Sequence, residues 1–249
     1  MAEKITDDYS ITNLFLNKIV NVFVEKKGKF SLKLRTIRES LEDKHWGIFY
    51  SIISTPFDKL EINKFFKTKS FIDLVKMIVF DFGQYDQFRY IYNLLLEQFP
   101  LLFSSEDKFK VDMENKELTI NGINITNEIW DYIVYILKLS YGEKVTKPLT
   151  FTSEEAKQFF LAQQKLEEKI QATRDKNKKD SDGSGLMKMF LSIVYAFPSF
   201  TFDYLFDQTM AQIQWLQKYA AGSVSYEVNA QAFAAGNAKK GSKLDFFIK

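Results

Sequence analysis

The chain has no cysteine. That excludes disulfides, thiolate metal sites and cysteine nucleophiles, and it fits an intracellular compartment. It has one histidine, His45, so a zinc centre would need at least three carboxylates at ligand spacing, and none cluster that way. There is no GxxxxGKS or GxxxxGKT phosphate loop, no GxGxxG, no GxSxG elbow and no Ser/His/Asp order that suggests hydrolysis. No stretch approaches the eighteen or so consecutive apolar residues a bilayer span needs. The longest patches, such as Ile129 to Leu139, are broken by Asp131 and Lys138. The opening MAEKITDDYS lacks the basic segment and apolar run of a secretory signal. Charge of one sign is lacking too: 34 Lys and Arg stand against 32 Asp and Glu, a net +2, whereas phosphate binding calls for a concentrated basic face. These absences predict a soluble, cytoplasmic, non-catalytic protein with no cofactor, no metal and no membrane partner, for which nucleic acid is disfavoured.

What the chain does have is apolar bulk. Of its 249 residues 46% are hydrophobic, including 25 Phe and 12 Tyr, ample material for a core. The sequence is organised around Gln171 to Gly185, QATRDKNKKDSDGSG, which apart from Ala172 has no aliphatic or aromatic side chain. Ordering such a stretch would lose entropy with little burial to offset it. It is a flexible linker between a body spanning residues 1–170 and a small helical domain at 186–249 that ends in a mobile tail; the other reading is a long surface loop.

Spacing predicts mostly helix in the body. Ile11 to Val24 places Ile11, Leu14, Phe15, Ile19, Val22 and Phe23 near a 3.6 period, with its β-branched content keeping a strand in play. Ser31 to Ile53 reads the same way through Leu34, Ile37, Leu41, Ile48, Phe49 and Ile52. Thr55-Pro56-Phe57-Asp58 has the make-up of a helix start, and Ser70 to Phe82 and Gln84 to Phe99 are two further helices separated at Gly83. Lys108 to Ile125 changes character: Phe109, Val111 and Met113 alternate with polar residues, and Asn121-Gly122 is a tight-turn dipeptide. A small β-hairpin near 109–125, or three short strands, is expected there. Thr126 then caps a helix through Leu139, and Thr152 to Glu155 has capping-box spacing for another. Beyond the linker, helices are expected over Leu186 to Phe197, Thr201 to Ala221 (closed by Gly222) and Ser223 to Ala235. The predicted fold class is therefore mainly α: a helical N-terminal body with one small hairpin, a charged linker and a small C-terminal helical unit.

The polar candidates for chemistry read more simply as surface. Asp81 and Asp86 flank Gly83 but suit solvated helix ends, and Asp203 and Asp207 complement a helix dipole. Lys176 to Lys179 lies among Asp175, Asp180 and Asp182, as in a solvated linker. The C-terminal unit, by contrast, carries more large apolar side chains than three short helices enclose, since a domain of that size buries only about 60% of its unfolded surface. Phe197, Phe200, Phe202, Phe206 and Trp215 are the candidate partner-binding residues.

The stretch NEIWDYIVYILKLSYGEKVTKPLTFTSEEAKQFFLAQQKLEEKIQATR, the charged linker, and SGLMKMFLSIVYAFPSFTFDYLFDQTMAQIQWLQKYAAG together resemble a tail assembly chaperone of tailed bacteriophages of Gram-positive hosts. The resemblance lies in the order of parts and covers mainly the C-terminal half. It implies a non-catalytic virion-assembly role in the host cytoplasm: keeping the tape measure protein soluble and gathering tail tube subunits, with self-association of the chaperone also open. The family has no fixed motif, so no residue role comes with it. The alternative is a nucleic-acid-associated phage or plasmid accessory protein that uses Lys176 to Lys179 and Lys239-Lys240 as phosphate contacts.

Overall fold

The computed structural model describes residues 4–10, 18–60, 66–83, 85–143, 145 and 185–234. The chain divides into two compact units, Met1–Thr152 and Ser153–Lys249. The expected linker at 171–185 lies outside the described residues except for Gly185, as do the helix expected from Thr152 and the tail after Ala234.

The N-terminal unit begins as sheet, where spacing predicts helix. Strands β1 (Ile5–Asp7), β2 (Ile19–Val24) and β3 (Gly28–Lys33) form an antiparallel meander in that order. In β2, Val20, Val22 and Val24 are buried while Asn21 and Phe23 turn away, and in β3 Phe30 and Leu32 alternate with Lys29, Ser31 and Lys33. That two-residue period is the strand signature. The turn between them holds Lys26 at φ 62° and Gly28 at φ 120°, the second a backbone setting that a side chain would resist. Two short helices follow, α1 (Ile37–Glu42) and α2 (Lys44–Ser54), where one longer helical stretch is expected. Asp43 divides them: it ends α1, and its carboxylate accepts the His45 and Trp46 N–H groups at 3.0 and 3.2 Å to start α2.

Helix α3 (Phe71–Lys76) widens into a π-helical turn over Met77–Phe82 and stops at Gly83; α4 (Asp86–Gln98) comes next. A Cβ built on Gly83 would stand 2.2 Å from Cδ2 and 2.9 Å from Cγ of the Tyr92 ring. Gly83→Ala is therefore expected to destabilise the N-terminal unit by about 1–3 kcal/mol. The penalty should shrink when the same change is made in a Tyr92→Ala background. Urea titrations of the four proteins would check this, and equal penalties in both backgrounds would remove Tyr92 as the cause.

A second antiparallel meander, β4 (Phe109–Asp112), β5 (Glu117–Ile120) and β6 (Ile123–Asn124), occupies the predicted hairpin region. Asn121 and Gly122, at φ 52° and 78°, make the tight turn into β6. Helix α5 (Asn127–Ser140) then starts on Thr126, whose hydroxyl accepts the Ile129 N–H. Its buried face, Ile129, Trp130, Ile133, Ile136 and Leu137, completes the core. Trp130 lies between the Phe71 and Phe99 rings, with centroids 4.8 and 5.0 Å away and planes within 4° and 15°. Two three-stranded sheets make the chain mixed α and β; the mainly α class with a single hairpin is wrong. The misreading arises in the first 33 residues, where Ile19 and Phe23 blur the alternation.

The C-terminal unit is helical as far as it is described: α6 (Gly185–Ala196), α7 (Phe202–Phe206) and α8 (Met210–Ala234). The expected helix Thr201 to Ala221 breaks at Asp207 because Thr209 opens a new one. Its hydroxyl accepts the Gln212 N–H at 3.3 Å, and the Gln212 side chain accepts the Thr209 N–H at 2.5 Å. Nor does Gly222 close a helix. It sits within α8, where the neighbouring alanines offset its cost of about 1 kcal/mol. The 25 residues of α8 span about 37 Å. Phe190, Ile193, Leu205, Ile213, Leu216 and Ala220 form the core of this unit.

Candidate functional site

The most distinctive surface of the C-terminal unit is built around a turn. After α6, Phe197-Pro198-Ser199-Phe200 is closed by a bond from the Phe200 N–H to the Phe197 carbonyl at 3.0 Å. Proline at its second position presets the backbone. The turn brings the Phe197 and Phe200 rings to 5.7 Å. From there the rings continue in both directions. Tyr204 of α7 stacks on Phe200 at 5.0 Å, Tyr219 of α8 stacks on Phe197 at 5.5 Å, and Trp215, one helical turn back along α8, stacks on Tyr219 at 5.5 Å.

The result is a ridge of five rings, Tyr204, Phe200, Phe197, Tyr219 and Trp215. Its two ends are 40% and 42% exposed and the middle is half-buried. Stacking fixes the rings in place at little further entropy cost, while their outer faces and edges stay wet. A firm aromatic surface of this kind suits an apolar partner face, and its phenol and indole groups can donate hydrogen bonds at the rim.

Of the five residues expected to bind a partner, Phe197, Phe200 and Trp215 lie on this ridge. Phe202 and Phe206 lie elsewhere: their rings pack at 6.0 and 5.0 Å on the buried Phe190. Tyr204 and Tyr219 complete the ridge and were not singled out by sequence. A stripe on α6, Met187, Leu191 and Tyr195, at i, i+4 and i+8, is also exposed.

The polar candidates are mutually satisfied. His45 Nδ1 lies 3.0 Å from Glu97 on the surface. Lys116 pairs with Asp81, and Arg89 lies 3.2 Å from Asp86, so each acid beside Gly83 has its own cation. Asp203 falls in the first turn of α7 and Asp207 at its end. Lys176 to Lys179 and Lys239-Lys240 lie outside the described residues. Among the described residues, no group of three or more His, Cys, Asp or Glu could hold a metal ion, and no helix is long and apolar enough to cross a membrane.

One constellation in the N-terminal unit has no sequence signal, because its members stand more than a hundred residues apart, from Arg35 to Glu143. Arg35 lies 4.3 Å over the Trp46 ring and donates to Asp43 at 2.7 Å. The Trp46 indole N–H donates to the Tyr141 hydroxyl, which also meets the Ser40 hydroxyl at 2.9 Å. The Tyr50 ring stacks on Tyr141 at 4.1 Å, and its hydroxyl donates to Glu143 at 2.5 Å. Burial, then the Glu143 hydrogen bond and charge, pushes the Tyr50 phenol far above its ordinary value; burial likewise raises Tyr141. Both hydroxyls stay protonated, Tyr50 donating to Glu143 and Tyr141 accepting from Trp46, so the cluster ties α1, α2 and the end of α5 together.

No protein-family model, curated protein or solved structure matches this chain.

Proposed function

We propose that this protein is a non-catalytic tail assembly chaperone of a tailed bacteriophage, which keeps the tape measure protein soluble and recruits tail tube subunits in the host cytoplasm. The observation that supports a binding role is the five-ring ridge, a rigid, half-exposed aromatic surface on a small helical unit. The phage assignment rests on the resemblance in the order of parts. In this reading the ridge is the recruiting surface and the N-terminal unit the holding part.

Co-expression of the full chain with a tape measure protein and a tube protein tests this directly. The wild type should hold the tape measure protein in the soluble fraction and retain tube protein in a pull-down. A Phe200→Ala/Trp215→Ala variant, altered only at half-exposed or exposed rings, should keep the first property and lose most of the second. Loss of two aromatic anchors at an interface typically costs about 2–4 kcal/mol, or roughly 30- to 1000-fold in affinity. If the wild type leaves the tape measure protein insoluble, or the variant retains tube protein in full, the reading fails.

A further inference from the structure

The two sheets of the N-terminal unit treat their edges differently. The outer edge of β3 is sealed: Ser104 N–H donates to the Ser31 carbonyl at 2.9 Å, Asp107 accepts the Ser31 N–H at 2.7 Å, and the Asn121 side chain donates to the Lys29 carbonyl at 3.2 Å. The outer edge of β4 has no such cover among the described residues. The Ile125 N–H donates to the Leu118 carbonyl at 2.8 Å and the Asn121 N–H to the Lys108 carbonyl at 3.1 Å. Leu118 and Ile120 therefore turn their backbone groups toward β6, and Glu117 and Thr119 toward β4. By the alternation of antiparallel ladders, Lys110 and Asp112 pair inward, while the N–H and C=O groups of Phe109 and Val111 point away from the sheet. The first half of the strand, Lys108 to Lys110, borders a cleft of about 850 Å³.

An open edge is a template for another strand. The sequence through this one, Lys108-Phe109-Lys110-Val111-Asp112-Met113-Glu114, has mirror-image charge about Val111: two lysines before it, two acids after it. We propose that β4 pairs with β4 of a second copy of this chain, antiparallel about a two-fold axis at Val111. The parity suits that axis, because the two Val111 residues would exchange both N–H···O=C bonds. In this register each Lys110 stands opposite the partner subunit's Asp112, and each Phe109 opposite the partner subunit's Met113. Met113 is otherwise a 60% exposed methionine. Met113 and Glu114 lie in the turn just past the strand, where Glu114 of the partner subunit comes near Lys108. Moving the axis to Lys110 would set the two Lys110 side chains against each other and would call on backbone groups that already pair with β5, so parity and charge together favour Val111. The contact is short, below the size of a standard interface, so the dimer is weak, with a dissociation constant on the order of 10–1000 μM. The inference does not depend on the aromatic ridge or on the phage reading.

Sedimentation equilibrium of the full chain across about 10 μM to about 1 mM tests it. The wild type should pass from monomer toward dimer. Val111→Pro removes an outward N–H and leaves every ladder bond of β4 intact, so it should keep the wild-type circular dichroism and stay monomeric. Lys110→Asp and Asp112→Lys each set like charges in opposition twice and should weaken self-association roughly tenfold or more. Asp112 also accepts the Glu114 and Asn115 N–H groups in the β4–β5 turn, so the comparison is made with an Asp112→Lys protein that keeps the wild-type circular dichroism. Mixed together, those two variants should associate again, because the aspartate at position 110 of one faces the lysine at position 112 of the other. A wild type that is monomeric throughout, or a folded Val111→Pro that dimerises like the wild type, overturns the proposal. Failure of the two charge variants to associate when mixed rejects the register.

Discussion

Replacing Trp130 by alanine is expected to cost the N-terminal unit about 3–5 kcal/mol, a large share of the roughly 5–15 kcal/mol that holds a domain folded. The ring is 2% exposed and lies parallel between Phe71 of α3 and Phe99 at the end of α4. Phe99 in turn meets Phe49 of α2 at 5.8 Å and Phe109 of β4 at 5.8 Å, and Phe103 links Phe109 to Phe30 of β3. Removing the indole leaves a cavity where three helices meet and takes away two stacked contacts, each worth about 0.5–1.5 kcal/mol beyond its buried area. Trp130→Phe keeps part of the stack and should cost roughly 1–2 kcal/mol. Urea unfolding followed by circular dichroism reads both. A loss under about 1 kcal/mol for the alanine variant would mean that Trp130 is not central to the core.

The second large effect belongs to Arg35. Its side chain is 9% exposed, stacked on Trp46 and bonded to Asp43, so Arg35→Ala strands a carboxylate that also starts α2. The expected loss is about 2–3 kcal/mol, below the value for a fully buried pair because Asp43 keeps some contact with water. The loss should depend on pH. Burial pulls the Asp43 carboxyl upward, but the Arg35 hydrogen bond and charge and the His45 N–H outweigh it and hold the group below its ordinary value. Glu39 is lowered in the same way: burial raises it, and the bonds from Lys33 and the Thr36 N–H, with the Lys33 and Arg35 charges, prevail. A carboxylate depressed in the folded state contributes its full stability above the unfolded value, near pH 4, and loses it as pH falls through the folded value. The gap between wild type and Arg35→Ala should thus be constant from about pH 7 to about pH 5 and narrow below about pH 4. If the gap holds at about pH 3, the cost lies in packing on Trp46 and not in the ion pair.

The contrast between the two sheets shows what spacing can convey. Strands β4 to β6 were legible because Phe109, Val111, Leu118 and Ile120 alternate with polar residues and Asn121-Gly122 fixes the turn. Strand β3 carries an equally clean alternation, Phe30, Leu32 and Leu34 against Lys29, Ser31 and Lys33. Leu34, Ile37 and Leu41, three and four residues apart, drew it into a helical reading that holds only from Ile37 onward. Strand β2 was harder. Ile19 and Phe23 are apolar on the less buried face, so both periods fit, and only its valines favour strand. The start of α8 was written in Thr209 and Gln212, a capping pair overlooked beside the stronger apolar stripe.

The aromatic ridge was half legible. An excess of rings signals that some must face outward, but not which ones. Phe206 packs on the Phe190 core, Phe202 touches the same ring while staying 38% exposed, and Tyr219 lies on the ridge because of a turn 19 residues before it in the chain. The Arg35, Trp46 and Tyr141 cluster was not legible at all, since nothing local links positions 35, 46 and 141.

The three tryptophans also divide the molecule optically. Trp46 and Trp130, each 2% exposed, sit in the N-terminal unit, one beneath a guanidinium and the other between two phenyl rings. Trp215, 42% exposed, sits at the outer end of the ridge. Indole emission moves to longer wavelength as water reaches the ring, so the red edge of this protein's fluorescence belongs mainly to Trp215 and the blue edge to the other two. A single emission spectrum therefore carries two separable channels: one that watches the ridge being covered, and one that watches the N-terminal core melt.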